Sequence, residues 1–113
     1  MANLAEETII TVFNLERRLW ELINQTTAIA WEILEQYGET EETIPAFEQL
    51  DNLKERLINP YSRLHTILLR VGESQPIATT AMLDILAITI EQAQATVEAA
   101  YASVQEVKRD LMP

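Results

Sequence analysis

The stretch FEQLDNLKERLINPYSRLHTILLRV, residues 47–71, holds a proline in the middle of an apolar pattern. Proline inside a helix removes one backbone hydrogen bond and bends the axis, so Asn59–Pro60 is either a break between two helices or a kink within one. The pattern decides. Phe47, Leu50, Leu53, Leu57, Tyr61, Leu64, Leu68 and Val71 advance by three or four residues straight through Pro60. A true break would lose that phase. The stretch therefore predicts one helix, 44–71, kinked at Pro60. Thr43 caps it and Pro45 sits in its first turn.

Two more helices follow from the flanks. The chain has only two glycines, Gly38 and Gly72, each at the end of an apolar-periodic segment. Glycine is favoured just past a helix C-terminus, which places helix ends there. The first helix is expected over 4–37, capped by Asn3 with Glu6 completing a capping box. The third is expected over 75–111, capped by Ser74 with Pro76 in its first turn. Two short connections, Glu39–Glu42 and Glu73–Ser74, make successive helices antiparallel neighbours. The first helix alone is roughly 50 Å long. The fold class is all-α: an elongated up-down-up bundle of three long antiparallel helices in one domain, residues 1–113, completed by dimerisation.

The expectation of a dimer comes from an excess of apolar surface. On a helical wheel, Leu15, Leu19, Leu22, Ile29 and Ile33 lie on one side of the first helix and Ile9, Phe13, Trp20 and Trp31 on the other. Val12, Ile23, Ala30 and Leu34 fall between. This arc spans roughly twice the ~100° that a single core face requires. The third helix also carries two seams. Met82, Leu86, Ile90, Ala93, Val97, Ala100, Val104, Val107 and Leu111 form the first. Ala78, Ala81, Ile85, Ile88, Gln92, Ala95, Ala99 and Ser103 form the second, whose small residues admit another helix closely. Long exposed apolar stripes mark interfaces, and homodimers are the commonest way to cover them. Phe13, Trp20, Trp31, Ile85 and Ile88 are the candidate interface residues.

Composition narrows the chemistry. Net charge is −10 and cysteine is absent, so disulfides, thiolate metal sites and cysteine nucleophiles are excluded. No basic residue lies between Arg18 and Lys54, while Glu32, Glu35, Glu39, Glu41, Glu42, Glu48 and Asp51 all fall in that gap. Such a chain repels phosphate backbones and anionic bilayers, so neither nucleic acid nor membrane is expected as a partner. The acidic end suits a basic protein surface instead. The longest apolar run, Ile77 to Ile90, is interrupted by Asp84. A cytoplasmic location is the expectation.

Few residues offer catalysis. Glu16 interrupts the apolar arc of the first helix, and a buried carboxylate needs a partner or a raised pKa. A basic residue of the second helix, or of a second subunit, is the expected partner. His65 is the only histidine, and a mid-helix position supplies neither a strained nucleophile turn nor an oxyanion loop. The residue three before it is Ser62, so the Glu-x-x-His motif of di-iron bundles is missing.

One spacing does carry an enzymatic alternative. Glu32-x-x-Glu35 is followed, after twelve intervening residues, by Glu48-x-x-Asp51. This resembles the carboxylate pairs of the all-α nucleoside triphosphate pyrophosphatases, which hold magnesium between antiparallel helices. The resemblance covers only this hairpin. It implies a Mg²⁺ site at Glu32, Glu35, Glu48 and Asp51 and release of pyrophosphate from a nucleotide. Oxygen-rich clusters of this kind suit Mg²⁺. The leading expectation is a non-enzymatic helical interaction and oligomerisation module needing no cofactor.

Overall fold

A computed structural model describes residues 4–111. Within them lie three α-helices and no strands: α1 (Glu6–Tyr37), α2 (Ile44–Glu73) and α3 (Thr80–Leu111). The molecule measures 57 × 19 × 18 Å, so the helices lie side by side along almost their whole length. Each helix packs on both others. Chain direction alternates. Glu16 of α1 approaches His65 of α2, while Thr27 and Leu34 lie beside Phe47. Similarly, Arg63 reaches Gln92 of α3, while Arg70 lies beside Ile85.

The core follows a seven-residue rhythm. Val12, Leu15, Leu19, Leu22, Thr26, Ile29 and Ile33 are the buried residues of α1. Ala46, Leu50, Leu53, Leu57, Pro60, Leu64, Ile67 and Val71 are those of α2. Steps of three and four are the seam of helices packed at a shallow angle, as in coiled coils. On α3, Leu86, Ala93, Val97, Ala100, Val104 and Val107 close the core, with Met82 and Ile90 partly buried against it. The side chain of Leu111 lies outside the described residues.

Helix α2 runs unbroken through Pro60, whose ring is itself a core residue. Burial of the ring offsets part of the lost hydrogen bond to the Arg56 carbonyl. The buried seam of α2 also differs from the sequence stripe. Pro60 and Ile67 replace Tyr61 and Leu68, which lie alongside, partly buried. Thr26 takes a core position on α1 because its hydroxyl donates to the Leu22 carbonyl at 2.7 Å, so no polar group is left unpaired.

The helix ends depart from expectation at three places. Helix α1 begins at Glu6, preceded by Ala5 with no side-chain cap. The anticipated cap, Asn3, lies outside the described residues. Glu6 and Glu7 instead place two negative charges in the first turn, where the helix dipole favours them. Gly72 does not end α2, which continues to Glu73. Helix α3 starts at Thr80, not residue 75. Thr79 is its cap: the Thr79 Oγ1 accepts the Met82 N–H at 3.1 Å. Ser74 is turned back toward α2, donating its hydroxyl to the Arg70 carbonyl at 2.8 Å. The residue before a proline avoids helical backbone, which keeps Gln75–Pro76 in the connection.

The α1–α2 hairpin is held by its threonines. Gly38 adopts φ +68°, and its N–H donates to the Leu34 carbonyl at 2.9 Å. Thr43 precedes α2 as expected, yet makes no side-chain cap to it. Its hydroxyl donates to the Gly38 carbonyl at 2.8 Å and accepts the Thr40 N–H at 2.8 Å. The Thr43 N–H donates back to the Thr40 hydroxyl at 3.2 Å. The result is a reciprocal capping box, Thr40-x-x-Thr43, one turn ahead of α2.

Candidate interaction faces

Once the core is closed, a band of large apolar side chains remains outside it on α1. Phe13, Trp20 and Trp31 are 55%, 58% and 61% exposed. Ile9, Ile10 and Leu34 are exposed in the same band. Helical geometry accounts for this: Phe13, Trp20, Thr27 and Leu34 step by seven residues, more than 90° around the helix from the buried seam. Trp31 and Leu34 border a shallow cleft with Phe47 of α2. Thus the apolar excess read from the sequence is genuine surface in the single chain.

Ile85 and Ile88 belong to a different face. They line a groove between α2 and α3 with Arg63, Thr66 and Arg70, about 490 Å³ in volume. A second stretch of the groove, about 600 Å³, continues along Arg56, Asn59, Ala95, Ala99 and Ser103. Arg63, Thr89 and Gln92 are common to both stretches. The second seam of α3, from Ile85 to Ser103, therefore lines this groove, while Ala78 lies before α3 and packs against the core. The five candidate interface residues divide between two sides of the bundle, which no single flat contact can cover.

Glu16 stands beside the α1 face. Its Oε1 is buried without a hydrogen-bond partner. The nearest basic group is the expected one, a residue of α2: His65 Nδ1 at 3.9 Å, a contact too long for a hydrogen bond. Burial raises the Glu16 carboxyl above its ordinary pKa, and the His65 charge lowers it in part. A carboxyl raised in this way binds its proton more tightly folded than unfolded. Its contribution to stability is complete below the ordinary carboxylate range and is lost as pH rises through the folded-state value. Glu16→Gln is accordingly expected to flatten the fall in stability between acidic and neutral pH. Urea midpoints measured across that range check this; an unchanged pH slope in the variant would refute it.

The four carboxylates of the enzymatic alternative surround the hairpin end. Glu32, Glu35, Glu48 and Asp51 are all exposed. Asp51 pairs with Lys54 at 3.2 Å. Among the described residues no three His, Asp or Glu side chains come together as a group able to hold a metal. The reason is rotational. Glu32 and Glu35 are exposed and line neither cleft between α1 and α2, which Thr27, Ala30 and Phe47 border, whereas a shared site needs them at the α1–α2 contact.

The groove also carries a column of arginines not singled out as a column above. Arg56, Arg63 and Arg70 are spaced by seven, a signal present in the sequence but diluted by the overall negative charge. Among the described residues, the ion pairs are Arg17–Glu21, Lys54–Asp51 and Glu16–His65. None involves a groove arginine.

Comparison with known protein families, characterised proteins and solved structures finds no match to this chain. Among the described residues no helix is long and apolar enough to cross a membrane. The functional reading rests on the faces themselves.

Proposed function

We propose that this chain is a non-enzymatic helical interaction module that works by self-association, most simply as a homodimer. The observation that carries the reading is the α1 band of Phe13, Trp20 and Trp31, all more than half exposed after the core is complete. Aromatic side chains bring large area at low entropic cost and dominate interfaces of this kind. The Glu16 oxygen beside the band, which accepts no hydrogen bond within the chain, supplies an acceptor for a donor from another subunit. The acidic hairpin end, Glu32 to Asp51, stays free to meet a basic protein surface. A bend of α2 at Pro60 belongs to the same reading, since it would shape the surface offered beside α3. The lack of cysteine supports a cytoplasmic setting. Magnesium-dependent hydrolysis draws no support from the arrangement of the four carboxylates.

Mass in solution tests the proposal. The native chain is expected to scatter light as a species heavier than its 12.9 kDa protomer and to lighten on dilution. Trp20→Glu and Trp31→Glu are each expected to move that equilibrium toward the protomer by roughly thirtyfold or more, since central interface aromatics are worth ~2 kcal/mol or more. Protomer mass at every concentration, or variants indistinguishable from the native chain, would overturn it.

A further inference from the structure

The α2–α3 groove carries a charge pattern that its own chain leaves unused. Arg56, Arg63 and Arg70 stand along the α2 wall, seven residues apart. Asp84, Glu91 and Glu98 form a second column on α3 with the same step. Arg63 reaches Gln92 at 3.5 Å, which fixes the relative height of the two helices. One heptad to either side, Arg56 lies beside Ala99 and Arg70 beside Ile85. Each acid is thus one residue, about 1.5 Å, from the level of an arginine. One residue is also about 100° of helix rotation. The acids point outward from α3 while the arginines point into the groove. Among the described residues, none of the six makes an ion pair.

We infer that the groove is a docking site for α3 of a second copy of this chain. Seated there at the same height and running parallel to the first α3, the partner α3 turns its acidic column toward the arginines. Arg56 then meets Glu98 of the partner subunit, Arg63 meets Glu91 of the partner subunit, and Arg70 meets Asp84 of the partner subunit. A two-fold axis parallel to the bundle makes every contact reciprocal, as closed symmetry requires. Along that axis the two α3 helices touch through Ile85, Gln92, Ala99 and Ser103, and the alanine and serine permit close approach. Docking also covers Ile85 and Ile88, both about half exposed in the single chain.

A parallel acidic column at matching height is what selects this occupant. In a chain of net charge −10, an arginine column that faces acids of the same spacing offsets the general repulsion between copies at this face. The inference shares with the proposed function only the premise that copies associate. It names a different face, one that the α1 substitutions do not touch. With both faces in use the assembly exceeds a dimer.

Because the chain lacks cysteine, single cysteines report this geometry cleanly. Ala99→Cys and Ser103→Cys each place a thiol against its own copy on the two-fold axis, within disulfide reach. Ala87→Cys, exposed and outside the groove, is the control. Mild oxidation of the full chain is expected to link the first two and not the third. Adding Arg63→Glu should lower linking of the Ala99→Cys chain roughly tenfold, since two attractions become two repulsions. Adding Glu91→Arg to that chain should restore it with the charges exchanged. Linking at Ala87 equal to that at Ala99, no effect of Arg63→Glu, or no rescue by the exchange would each overturn the inference. So would a monomeric chain that binds a synthetic acidic helix through Arg63, which would give the groove to another protein. Cross-linking that survives while Trp20→Glu leaves the mass unchanged sinks the proposed function alone. Loss of mass in Trp20→Glu with no cross-link at Ala99 sinks this inference alone.

Discussion

Leu57→Ala is expected to destabilise the bundle by about 2–5 kcal/mol, read as a lowered urea midpoint at unchanged slope. Leu57 has no accessible surface and lies midway along α2 in the continuous seam with Pro60 and Leu64. Truncation forfeits the transfer energy of the removed carbons and leaves a cavity between rigid helices that cannot collapse on it. A loss of this size is a large share of the ~5–15 kcal/mol typical of a domain. Leu69→Ala, on the same helix but 57% exposed, should cost about 0.5 kcal/mol or less. The contrast tests whether α2 packs as one helix across Pro60. If Leu57→Ala costs under ~1 kcal/mol, the seam through the proline is not closed.

Gly38→Ala is the second large effect, expected to cost about 1–3 kcal/mol. Gly38 holds φ +68° and ψ −169°, a region essentially restricted to glycine. A Cβ there meets no atom within 4 Å, so the penalty is backbone strain rather than collision. Strain would also weaken the Thr43 hydroxyl contact to the Gly38 carbonyl, which closes the α1–α2 hairpin. Gly72→Ala should have the opposite sign. Gly72 lies inside α2 with open space around it, so alanine should stabilise by about 0.4–1 kcal/mol by restricting the unfolded chain and favouring helix. Thermal unfolding of both variants checks the pair. Equal signs would mean that the two glycines share one role, as their positions in the sequence suggest.

The rod closes a continuous core yet leaves large apolar and charged features on its surface. Phe13, Trp20 and Trp31 leave a hydrophobic band on α1, and three arginines of the α2–α3 groove make no ion pair among the described residues. Neither feature serves the core, and both would be costly to leave unused in a chain of strong net charge.

Periodicity alone determined the helices, because apolar side chains at steps of three and four have one way to leave water. Pro60 therefore sits inside a helix, and Leu19, Leu57 and Val97 are core. Charge and composition likewise determined the lack of thiol chemistry and the acidic hairpin end. Helix ends were less legible, since a cap is chosen by local competition. Ser74 and Thr79 both offer a hydroxyl; Ser74 turns back to the Arg70 carbonyl, and Thr79 is the cap. The tertiary structure alone decided which apolar residues remain outside. Trp20 and Leu19 are adjacent and both hydrophobic, yet one is exposed and the other buried, because three helices cover only part of each wheel. It also decided which charges share a groove. The relative height of α2 and α3 comes from packing across the core, and that height alone brings the arginine column level with the acids.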